Sequence, residues 1–234
     1  MTWKSFIYEV PNGVMEFAMR SATNILADPD NLNRWNKTRS DNCKLCAKPN
    51  SPPYKATLFH ILNMYETFLG ENERSTWRHN SVLNYIKLTL KENRPDHIQV
   101  YADLEGHKVN VQTIPPHIMV TSSRPDLVYL LTVYLFELAV CFEKPGNLEA
   151  ANLRKYERCT SLSSDIQAAG LFCKNIPFEV GSSLTILHKL TKPRTKYTQF
   201  WKNISKTSLL CSYSIFLSRY DPWTGAPYLM PVKQ

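Results

Sequence analysis

The apolar positions along this chain change their period several times, and each change marks an element. From Asn12 to Ala27, the residues Val14, Phe17, Ala18, Ala22, Ile25 and Leu26 recur at the steps of a helix, with Pro-Asn-Gly punctuating the start and Asp28-Pro29 the end. Trp77, Val82, Leu83, Ile86 and Leu90 predict a helix over Arg74 to Asn93, with Lys87 and Lys91 toward the end where the macrodipole favours cations. His97 to Ala102 reads as a strand and Gly106 to Pro116 as loop. Next come two runs rich in β-branched and aromatic residues, Leu127 to Leu131 and Val133 to Val140. They are so closely spaced that they must form an antiparallel hairpin. Leu148, Ala151, Cys159, Leu162, Ile166 and Ala169 then mark one long amphipathic helix. A strand over Leu171 to Gly181, a short helix over Leu184 to Leu190 and a long helix over Thr195 to Arg219 complete the order, and the Pro-rich tail from Asp221 is expected to fray. Three strands, a helix and a fourth strand, with flanking helices, predict an α/β fold: a mixed sheet covered on its faces.

Two acids stand out in the hairpin. With its turn centred between Leu131 and Thr132, Asp126 falls opposite Glu137. Opposed residues of an antiparallel pair share a face, with Cβ atoms roughly 4.5–5.5 Å apart. Carboxylates so placed repel unless a cation lies between them, and a hard divalent ion takes such ligands. In the helix that follows, the gap between Ala151 and Cys159 on the apolar stripe is filled by Lys155. Acid, acid and lysine on one face suit metal-dependent phosphodiester hydrolysis. In the alternative reading Asp126 caps a turn, Glu137 is a strand-edge acid and Lys155 snorkels.

Cys43-Lys44-Leu45-Cys46, a Pro-rich loop and His60 at a predicted helix start have the layout of a small zinc module with three ligands. The alternative is a loop with two unmetallated thiols. Arg78 and His79, on the first turns of their helix, either contact phosphate or are simply exposed. Tyr101-Ala102-Asp103-Leu104 resembles the polymerase Tyr-x-Asp-Asp signature, but Leu104 removes the second metal-binding acid, so polymerase activity is not expected. The net charge of +8 and pI near 9.1 favour polyanionic partners. From Ser182 to Gln234 eight Lys/Arg face a single acid, Asp221. No apolar run approaches the ~20 residues of a membrane helix, and the N-terminus lacks a signal peptide's pattern. No membrane partner is expected, and the cysteines are expected to be intracellular thiols or metal ligands.

Trp77-Arg78-His79-Asn80-x-Val82-Leu83, Ile114-Pro115-Pro116, Arg124-Pro125-Asp126-Leu127-Val128, Leu135-Phe136-Glu137-Leu138-x-Val140-x-Phe142-Glu143 and Pro177-Phe178-Glu179-Val180-Gly181-Ser182 follow in fixed order. From roughly Val14 to Tyr220 the chain resembles the C-terminal part of animal non-LTR retrotransposon polyproteins, where a zinc knuckle precedes a restriction-enzyme-like endonuclease. The resemblance implies a PD-(D/E)xK-like fold over 96–220 after a helical, knuckle-like region over 1–95. It implies nicking of target DNA to prime reverse transcription, with DNA and element RNA as partners and a nuclear location. Asp126, Glu137 and Lys155 would be catalytic, the two acids holding Mg²⁺ or Mn²⁺. Lys155 would replace the motif lysine, whose place Ala139 takes. Arg78, His79, Arg124 and Arg158 would contact nucleic acid, and Cys43, Cys46 and His60 would bind zinc. The sequence departs from the pattern where Tyr65 stands at the fourth zinc position, where the hairpin is shortened, and where Cys159 replaces a tyrosine. The polymerase part is also missing. Those departures fit a truncated or decaying copy, and the alternative function is an inactive nucleic-acid-binding remnant.

Overall fold

The computed structural model describes residues 3–47, 52–64, 74–104, 114–130, 132–144, 146–182 and 198–220. The short helix expected over 184–190, the tail from Asp221, and Leu131 and Tyr65 lie outside them. The chain divides into two compact units, Met1–Arg78 with Gly181–Pro231, and His79–Val180 with the last three residues. The expected boundary at 95/96 and the observed one at 78/79 do not coincide.

In the first unit, α1 (Trp3–Glu9) and α2 (Asn12–Ala22) precede α3 (Pro29–Arg34). The helix expected to run to Ala27 stops at Ala22, because Asn24 turns into the left-handed region with φ 53°. Asp28-Pro29, expected only to end that helix, instead starts the next: the Asp28 carboxylate accepts the Asn31 N–H at 2.8 Å and Pro29 takes the first helical position. The other Asp28 oxygen accepts the Leu58 N–H at 2.9 Å, tying α3 to the start of α4 (Leu58–Asn63). The last helix among the described residues, α8 (Thr198–Leu217), sets the tilted rings of Tyr213 and Phe216 against Phe17 of α2.

The second unit holds most of α5 (Arg74–Glu92) and a four-stranded sheet of β1 (Gln99–Ala102), β2 (Leu127–Leu130), β3 (Val133–Cys141) and β4 (Cys173–Gly181), in that spatial order. β1–β2 and β2–β3 are antiparallel, with Leu130 paired to Val133 across the tight turn. The β3–β4 connection runs through α6 (Asn147–Arg158) and α7 (Thr160–Ala168). Val133 N–H donates to Phe172 O at one end, and the Cys141 thiol approaches Val180 O at the other, so β3 and β4 run in the same direction and the sheet is mixed. Pro177 is tolerated in β4 because that strand ends the sheet order.

Register decides which residues share a face. Tyr101, Val128 and Leu135 form one row across three strands, and Gln99, Leu130 and Val133 another. Val128, Val133 and Leu135 pack with Cys159, Leu162 and Ile166 of the crossover into the unit's apolar core, joined by Ile114 and Cys173. The single helix expected over 148–169 is two, broken at Cys159 with ψ 4°. The expected stripe holds from Ala151 to Ile166, but Ala169 is exposed.

Leu135 has no exposed surface. We expect Leu135→Ala to destabilise the protein by about 2–5 kcal/mol, read as a lower urea midpoint at unchanged slope.

Candidate functional site

The next row along the same face is charged. Ala102 pairs with Leu127 and Leu127 with Phe136, so one step further Asp103, Asp126 and Glu137 fall side by side. Asp103 N–H donates to Asp126 O at 2.9 Å, which keeps the first two in register. Asp126 lies opposite Glu137, as the hairpin spacing predicts. The two acids are also stapled through backbone. Asp126 N–H donates to Glu137 Oε1 at 3.3 Å, and Leu138 N–H donates to Asp126 Oδ2 at 2.6 Å.

Lys155 reaches both acids from α6. Its Nζ lies 2.9 Å from Asp126 Oδ2 and 2.9 Å from Glu137 Oε2. The side chain that interrupts the apolar stripe is therefore directed at the sheet by the same periodicity that buries Ala151 and Cys159 on either side of it. Asn152, almost one turn earlier, donates to Glu179 of β4 at 2.8 Å, and Asn175 of β4 donates to Tyr156 O at 2.6 Å; together they fix α6 against the sheet.

Further donors complete the cluster. His79 Nε2 is 3.4 Å from Asp126 Oδ2, Arg158 reaches Glu137 Oε2 at 3.4 Å, and the Cys159 thiol approaches Glu137 Oε1 at 3.4 Å. Arg158 also donates to the Arg124 carbonyl at 3.2 Å, while the Arg124 guanidinium is ion-paired with Asp103. Glu137 is wholly buried and Asp126 is 7% exposed. A carboxylate carried that far from water persists as an ion only where charge and hydrogen bonds compensate it, and both acids have that compensation.

The electrostatics follow. Burial alone pushes the Asp126 carboxyl up, but the hydrogen bond and charge of His79, with those of Lys155, outweigh it and hold the group at about 2, below its ordinary 3.8. For His79, burial acts to lower the pKa, and the Asp126 carboxylate overrides it, so the imidazole titrates above its usual value. Burial, then the adjacent Glu137 charge, pushes the Cys159 thiol up to about 12, which keeps it a hydrogen-bond donor.

In the first unit, Cys43, Cys46 and His60 converge, all buried, with their ligand atoms within 4.8 Å of one another. A short ribbon builds this cluster. Cys43 N–H donates to Tyr54 O at 2.8 Å, Ala56 N–H donates to Asp41 O at 2.7 Å, and Asn42 bridges Lys55. Thr57 caps α4 by accepting the His60 N–H, and the Tyr54 ring stacks on the His60 imidazole at 5.5 Å. Burial lowers the His60 pKa, favouring the neutral imidazole that ligates metals. Two thiols and an imidazole this close can bind a metal ion.

Of the residues singled out by sequence, Asp126, Glu137, Lys155, His79, Arg124 and Arg158 meet in the second unit. Arg78 does not present itself to a ligand. It is 2% exposed and donates to Ser212 Oγ, Leu62 O and Asn63 Oδ1 within the first unit, so the phosphate contact expected of it gives way to a structural role that satisfies the end of α4. His79, expected to contact nucleic acid, instead faces Asp126. Asp103 was missed. It stood out only in the rejected polymerase-like signature, and its place one residue beyond β1, two strands away from Glu137, gave no hint of this row.

The Asp126 shift sets a pH dependence. A carboxyl depressed in the folded state contributes stability that is present above its unfolded value of 3.8 and lost as pH falls through about 2. That contribution is on the order of 2 kcal/mol. Urea titrations between these limits should show the wild type losing it, while Asp126→Asn shows a flatter acid limb. His79 acts in the opposite sense: its raised pKa gives stability that is complete below its ordinary 6.5 and lost as pH rises through the folded value.

No protein-family model matches the chain, and no curated protein matches it in sequence. The functional reading therefore rests on the residues and their geometry.

Proposed function

We propose that this chain is a retrotransposon-derived, metal-dependent DNA endonuclease with a PD-(D/E)xK-like fold, nicking target DNA to prime reverse transcription, preceded by a zinc-knuckle-like module. The observation that carries the reading is the convergence of Asp126, Glu137 and Lys155 on one point. Two carboxylates with a cation between them are the donor set and charge balance of a hard divalent ion. The Lys155 ammonium holds that point in this structure.

Asp126 and Glu137 would hold Mg²⁺ or Mn²⁺, which when bound supplies charge neutralisation at the phosphate and an acidified water. The chain's own residues do the rest. The Leu138 N–H and His79 orient the Asp126 carboxylate. Lys155 offers its ammonium to charge developing on the scissile phosphate. Arg124 and Arg158 bind flanking phosphates of DNA or element RNA. Cys43, Cys46 and His60 fit Zn²⁺ by donor type, two thiolates and a neutral imidazole.

A second reading, an inactive nucleic-acid-binding remnant, is favoured by one observation. Both Glu137 oxygens already accept hydrogen bonds, from Lys155, Arg158, Asp126 N–H and Cys159, in a side chain without exposed surface.

On supercoiled plasmid with Mg²⁺ or Mn²⁺, the wild type is expected to produce nicked circles. Asp126→Ala and Glu137→Ala should lower the rate by at least about a hundredfold, and Lys155→Ala by roughly tenfold or more. Equal rates in all four proteins would eliminate the endonuclease. Salt-dependent binding without nicking would establish the remnant.

The purified protein is expected to carry roughly one equivalent of zinc, and replacement by Co²⁺ should give thiolate charge-transfer absorption. Both signals should disappear in the Cys43→Ser, Cys46→Ser double variant, with a lowered melting temperature because metal binding is coupled to folding. Full signal in that variant would remove the cluster from consideration.

A further inference from the structure

We infer that Asp103 is a positioning residue, which holds the Arg124 guanidinium at the rim of the acid–lysine site in the orientation that receives a nucleic-acid phosphate. The inference rests on reading this face as a phosphate-binding one. Three observations carry it.

The first is register. Asp103, Asp126 and Glu137 form one row, one step beyond the paired strand residues, and the Arg124 guanidinium is ion-paired with Asp103 at its end. The Asp103–Arg124 pair therefore sits beside the two buried acids. The second is attachment. Asp103 is anchored through its N–H to Asp126 O, and Arg124 is anchored through its carbonyl, which accepts from Arg158. Arg158 in turn reaches Glu137. An unbroken chain of contacts joins Asp103 to the acid that α6 neutralises. The third is exposure. Arg124 and Arg158 keep 37% and 53% of their side chains accessible, whereas Glu137 has none. The accessible positive charge of this row lies on its rim, beside acids that are already compensated.

A guanidinium offers five N–H donors in a rigid planar fork. Asp103 engages one Arg124 terminal nitrogen, which fixes the plane of the group and leaves other donors for a phosphate oxygen. Without Asp103 the arginine swings among its rotamers, and ordering it on binding costs free energy. A simple Coulomb argument predicts the opposite sign, because removing an acid near a phosphate relieves repulsion. Sign therefore separates positioning from plain electrostatics.

The test is fluorescence anisotropy of a labelled DNA duplex in buffer without divalent metal, across salt from roughly 50 to 200 mM, where log K falls in proportion to the phosphate contacts made. Arg124→Ala should reduce the salt slope by about 0.9, the share of one contact on duplex DNA. Asp103→Ala should weaken binding by about three- to tenfold, the cost of re-ordering one long side chain. Asp103→Glu should restore part of that loss, and the Asp103→Ala, Arg124→Ala double variant should bind no more weakly than Arg124→Ala alone. Asp103→Asn, which keeps an acceptor oxygen, replaces Asp103→Ala if circular dichroism shows the latter unfolded. Tighter or unchanged binding in Asp103→Ala, or additive losses in the double variant, would overturn the inference. The readout needs no cleavage. A protein that never nicks plasmid but shows this binding pattern loses the endonuclease reading and keeps this one.

Discussion

The second unit depends on one constraint: two carboxylates are buried side by side, and their negative charge must be met within a few ångströms. Side by side in water such a pair repels weakly; beneath a helix at the edge of an apolar core the repulsion grows several-fold as the effective dielectric falls. Lys155 answers both acids at once, and His79 and Arg158 answer one each. Backbone N–H groups of Asp126 and Leu138 supply what the cations do not. The cluster is not a strong source of stability, because desolvating the two acids, Lys155 and His79 offsets much of the attraction among them. Its consequence is specificity of packing. A helix whose lysine must touch two acids has little freedom to slide or rotate on the sheet.

That requirement accounts for the shape of the crossover. α6 delivers Lys155 and Arg158 to the acid row, Cys159 reaches it from the break that follows, and α7 delivers Leu162 and Ile166 to the apolar rows of the same face. One straight helix would carry a single stripe along one line. The break at Cys159 divides the segment where its task changes from charge compensation to core filling. The thiol suits that junction: it packs as a small apolar group in the core cluster and donates weakly to Glu137.

Much of this was legible in the sequence, for reasons that can be named. The hairpin register followed from spacing alone, because two residues between Leu130 and Val133 admit one pairing, and that pairing puts Asp126 opposite Glu137. Lys155 was legible as a polar residue on an apolar stripe. Cys43, Cys46 and His60 were legible as a ligand spacing. What escaped was non-local. Asp103 joins the row through a β1–β2 pairing across a long connection whose length fixes no register. Arg78 looked like a surface cation on a first turn, but burial is set by what packs around a helix, and its acceptors lie at Leu62 and Ser212. The short reach of α2 turned on a left-handed Asn24, a conformation that Asn tolerates without announcing. Asp28 was read as a stop when its side chain makes it a start.

The two candidate sites differ in the softness of their donors, and that difference bears on what each can do. Sulfur and imidazole in the first unit suit a borderline-soft ion held for structure, and the Asn42–Lys55 ribbon brings them together. The oxygens of Asp126 and Glu137 are the donor type that suits a hard ion. There the competitor is internal. Lys155 already sits where a divalent ion would sit, so the ion must exceed the lysine's attraction to both acids, and the lysine must find a new partner when it leaves. The phosphate of the proposed nucleic-acid substrate would be such a partner. Were the site to act as proposed, metal and nucleic acid would bind it together more readily than either would alone, because the phosphate would take up the ammonium that the ion displaces.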